Sequence, residues 1–158
     1  DSYMASVRNA GENALAFARE HGKRIMILAG RPYHIDPEIC HGIDKLANQL
    51  GFVVVSEDSV CHLASKSPKV HVLNQWTYHA RLYRAAEYAS EHDDTELVQL
   101  VSFGCGVDAI TTDEVRSILE AHDKFYTQIK IDEITNLGAV KIRLRSLLGA
   151  LEDKEARK

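Results

Sequence analysis

A cysteine held between two glycines, in Phe103-Gly104-Cys105-Gly106, is the sharpest chemical feature of the sequence. The glycines leave its sulfur on a narrow turn, free to approach a bulky group. Three roles fit Cys105: a metal ligand, a thiolate nucleophile or an inert buried thiol. A nucleophile wants a base beside it, and His34 is a residue that folding could bring near. Gly30-Arg31-Pro32-Tyr33-His34 offers a second set of groups. Arg31 has a planar fork for carboxylate or phosphate, and His34 can act as a neutral ligand or a proton carrier. Pro32 interrupts any run of backbone N–H groups, so this is no P-loop; a plain turn with Arg31 paired to a neighbouring acid is the alternative. Asp132-Glu133 could bind a cation, receive a proton, or stand as a solvated pair.

These groups need a scaffold, and the hydrophobic pattern supplies one. Helical spacing from Val7 to Ala18 closes at His21-Gly22, and Arg24 to Ala29 (RIMILA) is too short for a helix and apolar enough for a strand buried on both faces. Asp36-Pro37-Glu38 carries an N-cap, a first-turn proline and an early acid, which start a helix running to about Leu50-Gly51. Phe52 to Ser56 is β-branched and makes the second strand. Residues 57 to 74 are mostly polar and are expected to form a long surface loop, a lid or docking segment. Trp76 to Tyr88 has helical spacing up to a polar break at Glu91 to Glu96. Leu97 to Phe103 is a third strand, Thr112-Asp113-Glu114 starts a helix to about His122, Tyr126 to Ile131 is a fourth strand, and Leu137 to Leu151 a final helix.

Four strands alternating with helices predict one α/β domain over residues 1–158, with a mostly parallel sheet covered on both faces. Sites in such sheets lie at the carboxyl ends of the strands, where Arg31, His34, Glu57-Asp58, Cys105 and Asp132-Glu133 all fall. Arg31, His34 and Cys105 are therefore expected at one sheet edge. Other histidines have local reasons: His21, His92 and His122 mark helix C-termini, where a cationic side chain suits the helix dipole. Arg81, Arg84, Arg143 and Arg145 are expected in salt bridges.

The 158 residues carry a formal net charge of -4 and 27% charged residues without a concentrated basic face, which argues against nucleic acid as partner. No apolar run nears the roughly 20 residues of a membrane-spanning helix. Three widely spaced cysteines, Cys40, Cys61 and Cys105, argue against a disulfide framework and for a reducing, cytoplasmic setting. No CxxC is present, which disfavours a self-contained zinc or four-cysteine cluster site. The start in a polar helical stretch without an initiator methionine is the pattern expected of a piece of a larger multidomain protein.

The segments Ile27 to His34, Leu73 to Arg81, Leu100 to Ala109 and Lys130 to Glu133 resemble the acyl-CoA dehydratase activase-related proteins, also called CoA-substrate-specific enzyme activases or 2-hydroxyglutaryl-CoA dehydratase activators. The resemblance spans nearly the whole chain and matches the later part of the family's dehydratase-like region, which implies a Rossmann-like or flavodoxin-like α/β domain. It implies an iron–sulfur cluster of 4Fe-4S or double-cubane type in the full-length protein, with Cys105 as one ligand and the others in a preceding domain. It also implies partners in the same chain, including an ATP-hydrolysing activator module, and an acyl-CoA or other small reducible substrate held with the help of Arg31 and His34. No ATPase signature occurs here, so ATP hydrolysis is not expected of this piece, and Cys40 and Cys61 are expected to be ordinary thiols. Two other readings stand beside this one. The first is a non-catalytic small-molecule or protein-binding module of flavodoxin-like shape. The second is a structural role, with the 57–74 loop and the aromatic helix as an interface.

Overall fold

The computed structural model describes residues 2–30, 42–64, 78–101, 106–130 and 137–158. Four strands, β1 (Arg24–Ala29), β2 (Phe52–Ser56), β3 (Thr95–Val101) and β4 (Thr127–Lys130), form one all-parallel sheet in the order β2-β1-β3-β4. Among the described residues six helices flank it: α1 (Ser2–Glu20), α2 (Ile43–Gln49), α3 (Glu57–Val60), α4 (Tyr78–Glu91), α5 (Gly106–Glu120) and α6 (Leu137–Ala156). A 3-10 turn, Cys61–Leu63, follows α3 directly.

The period-two alternation of β1 divides the core into two layers. Ile25, Ile27 and Ala29 pack with Leu15 and Ala18 of α1, Leu82 to Ala89 of α4 and Val115 and Leu119 of α5. Met26 and Leu28 pack on the opposite face with Ile43, Leu46 and Ala47 of α2 and Val140, Leu144, Leu147 and Leu151 of α6. The connection from β1 to β2 uses the α2 face, whereas the connections that step to β3 and then to β4 use the α4–α5 face. Steps in opposite directions over opposite faces are what one crossover hand requires. β3 is buried at all seven positions, as a central strand of a two-layered sheet must be.

Two elements differ from the sequence expectation at the site end of the sheet. The segment after β2 is not a surface loop from residue 57: Glu57, Val60 and Cys61, spaced i, i+3, i+4, are buried, and the chain turns as α3 and the 3-10 turn under α1 and α4. Helix α5 begins at Gly106, not at Thr112, with Thr111 buried inside it. At the other end, β3 begins at Thr95, inside the expected polar break, because Thr95 and Glu96 are both buried. Tyr83 and Tyr88 of α4 face the core, and Trp76, the other end of the expected aromatic helix, lies outside the described residues.

Capping follows local chemistry. Lys23 N–H donates to Ala18 O (2.8 Å) and Gly22 N–H to Arg19 O (3.4 Å), with Gly22 at φ 63°, a Schellman closure of α1. Helix α5 closes in the same way through Asp123 at φ 58°, with Lys124 N–H donating to Leu119 O at 2.9 Å. That closure turns the chain inward and delivers Lys124 to the sheet. The histidines at the helix ends behave as expected. Nδ1 of His21, His92 and His122 lies 2.8, 2.8 and 3.0 Å from the carbonyl four residues earlier, so Nδ1–H donates to it.

Helix α1 reaches α3 through Gly11. A Cβ placed there would stand 2.5 Å from Ser59 O and 2.7 Å from Ser59 Cβ. Gly11→Ala is therefore expected to destabilise: overpacking costs about 1–3 kcal/mol, more than the up to ~1 kcal/mol that alanine gains in helix propensity. Gly149→Ala on α6, where a Cβ meets nothing within 4 Å, is expected to stabilise by roughly 0.5–1 kcal/mol. Urea denaturation of both variants checks the pair; equal effects would refute the close approach of α1 to α3.

Candidate functional site

In a doubly wound sheet the chain leaves β1 and β3 in opposite directions, and the crevice outside their carboxyl ends is the place for a ligand. Here β1 and β3 are neighbours in register, with Ala29 beside Gln99, and they end at Ala29 and Val101. Arg31 and His34 follow the first of these strands in the sequence, and Cys105 follows the second. All three lie outside the described residues, and so does their expected meeting at one sheet edge. Cys40, His41 and Asp132-Glu133 lie outside them as well.

The described chemistry at the carboxyl edge of the sheet centres on Glu57, the residue after β2. Leu28 of β1 pairs with Ser56 of β2, so Glu57 stands beside the end of β1. Glu57 is 1% exposed, and burial pushes its carboxyl up to about 7, with the nearby Asp58 charge adding to the effect. Arg81 of α4 and the backbone N–H groups of Glu57 and Asp58 act the other way, favouring the carboxylate. Oε2 of Glu57 is buried without a hydrogen-bond partner, and so is Nε of Arg81. Among the described residues no ion pair of Arg81 is formed, and its charge acts on this buried acid. Arg143 Nη1 donates to Gln128 O at 3.0 Å.

Cys61 is buried in the same corner, and desolvation pushes its thiol upward, reinforced by Glu57 and opposed by Arg81 and Arg8. Cys61 is a free, buried thiol, and this setting disfavours its thiolate. Among the described residues no three His, Cys, Asp or Glu side chains gather into a metal site.

A second polar group lies on the α5 face of the sheet. Gln99, fully buried on β3, accepts a hydrogen bond from Tyr126 Oη at 2.8 Å, and its Nε2 has no partner. Burial holds the Tyr126 phenol up at about 12, and the Arg116 guanidinium lies 4.9 Å over its ring. In the sequence Gln99 is one polar residue in an apolar strand and gives no sign of this role. The signal available for Glu57 is its helical spacing with Val60 and Cys61.

The fold is an α/β domain of doubly wound type, with its topological switch point between β1 and β3. Residues 1–60, from α1 to the end of α3, match the family model described as CoA enzyme activase uncharacterised domain (DUF2229), consistent with a CoA-substrate-specific enzyme activase-related protein. Of the four segments that carry the sequence resemblance, Ile27 to His34 lies inside this match and the other three lie beyond it. No curated protein and no solved structure matches the chain. Among the described residues no helix is long and apolar enough to cross a membrane.

Proposed function

We propose that this domain is the dehydratase-like part of an iron–sulfur, ATP-dependent activase or reductase related to the 2-hydroxyacyl-CoA dehydratases, and that it contributes one cluster thiolate and part of a cavity wall. The match of residues 1–60 to a CoA enzyme activase domain carries this reading. The neighbouring positions of β1 and β3 support it, because the segments after them in the sequence hold Arg31, His34 and Cys105. In this reading the remaining cluster ligands belong to other domains of a longer protein. When bound, such a cluster supplies low-potential electrons. Arg31 would hold an anionic group by its planar fork, such as the phosphate or carboxylate of an acyl-CoA, and His34 would orient it or carry a proton. The setting in this reading is cytoplasmic.

The experiment is iron and acid-labile sulfide content, measured on the anaerobically purified full-length protein and on this chain treated identically. Cluster in the former and none in the latter is expected. Cys105→Ser in the full-length protein is expected to lower iron and sulfide; an unchanged content would remove Cys105 from the ligand set. Absence of cluster from both would leave a flavodoxin-shaped binding module as the better account, and tight binding of an acyl-CoA to this chain would then identify it.

A further inference from the structure

The last buried residue of α6 is Leu151, and from Glu152 onward no side chain enters the core, although the helix continues to Ala156. A helical turn without core contacts is marginal in water. What meets this stretch is charge. Glu155 Oε2 lies 3.0 Å from Arg24 Nη2 at the start of β1, Lys154 Nζ lies 3.4 Å from Asp123 Oδ2 in the turn after α5, and Lys158 Nζ lies 3.5 Å from Asp93 Oδ2 in the turn after α4. Lys154 also donates to Asp123 O and stands over the Phe125 ring, 5.5 Å from its centroid. Three separate elements at the amino end of the sheet are thus joined to one short stretch of chain.

We propose that residues 152–158 are a strap held across the amino end of the sheet by the charges of Lys154, Glu155 and Lys158, so that ionic strength releases it while the rest of α6 stays folded. The partner side chains of Lys154 and Lys158, Asp123 and Asp93, are 95% and 92% exposed, and Glu155 is 61% exposed, so salt reaches every pair. Arg24 and Lys154 also act on the Glu96 carboxyl, so the docked strap adds a cation to the buried Lys124–Glu96 pair. Release leaves that acid with Lys124 and Arg24. The strap lies at the opposite end of the sheet from Glu57 and the switch point, and it stands whether or not a cluster is bound.

Cα chemical shifts, measured by nuclear magnetic resonance on the chain at about 0.01 M and about 1 M NaCl, test the strap. Those of Lys154 to Ala156 are expected to lose roughly half of their helical displacement or more in the higher salt, whereas those of Leu144 and Leu147, in the core, keep theirs. Glu155→Gln separates a strap from an ordinary helix end. An anion in the last turn opposes the helix dipole, so neutralising it makes an end held by its own backbone more helical. A strap held to Arg24 becomes less helical at low salt instead, and loses part of its response to salt. Shifts that ignore salt, a loss shared equally by Leu144 and Leu147, or a rise in helicity on Glu155→Gln each overturn the proposal.

Discussion

Lys124→Met is expected to remove about 3–5 kcal/mol of stability, the cost of breaking a buried ion pair from one side. Lys124 and Glu96 are 7% and 3% exposed, and lie at the opposite end of the sheet from the candidate site. The ammonium spends its donors on His92 O at 2.6 Å, Thr95 O at 2.8 Å and Glu96 Oε1 at 3.3 Å. It thereby ties the turn after α5 to the start of β3. Burial already raises the Glu96 carboxyl, with Lys124 opposing that rise, and Glu96 Oε2 has no partner of its own. Methionine keeps the stem and removes the charge, which leaves the carboxylate uncompensated. A loss of this size moves the urea midpoint by roughly 1–3 M at unchanged slope. The double variant Lys124→Met, Glu96→Leu is expected to recover most of it, because the charge is then gone from both sides. A single variant that loses less than about 1 kcal/mol, the range of an exposed pair, would show that water screens the interaction. A double variant no better than the single would assign the loss to the two carbonyls.

That pair also explains why the start of β3 is illegible in the sequence. Thr95 and Glu96 are polar and follow a charged turn, so propensity begins the strand only after them; the partner that lets Glu96 enter the core stands 28 positions later. β1 and β2 are legible because apolar runs of five or six residues between turn signals have few alternatives. The histidine caps are legible because their acceptor is the carbonyl four residues back, a purely local relation. The order β2-β1-β3-β4 is not, since alternation of strands and helices says nothing of which strands are neighbours. Helix α3 is hidden by its composition: Glu57-Asp58-Ser59 has the look of a solvated strand end, and only contact with α1 at Gly11 and with α4 makes it core. Of the candidate site, the strand ends are legible, and the buried acid beside them is not, because a carboxyl group enters the core only where tertiary neighbours permit it.

Stability of the chain is expected to fall as pH rises from about 4.5 to about 7, and Glu57→Gln is expected to abolish most of that fall. The folded carboxyl of Glu57 sits at about 7 against an ordinary value of 4.5, so between those values the folded state holds a proton that the unfolded chain has released. Stability therefore decreases with pH across that window, is complete below its lower end, and is lost once the pH passes the folded value. Holding that proton in the folded state is expected to contribute on the order of 3 kcal/mol below the window. Glu96, also raised by burial, adds a slope of the same sign, while Asp94, whose burial is outweighed by hydrogen bonds from Arg19 and Thr95 that lower it, acts in the opposite sense and at lower pH. The difference between wild type and Glu57→Gln isolates the Glu57 contribution. Urea unfolding at pH 5 and pH 8 measures it: glutamine has no proton to lose, so the variant should equal or exceed wild type at pH 8 and change little between the two conditions. A Glu57→Gln protein that keeps the full pH slope would transfer the effect to Glu96. The same acid would then be an inert core residue, and the carboxyl edge of the sheet would have no proton store beside β1.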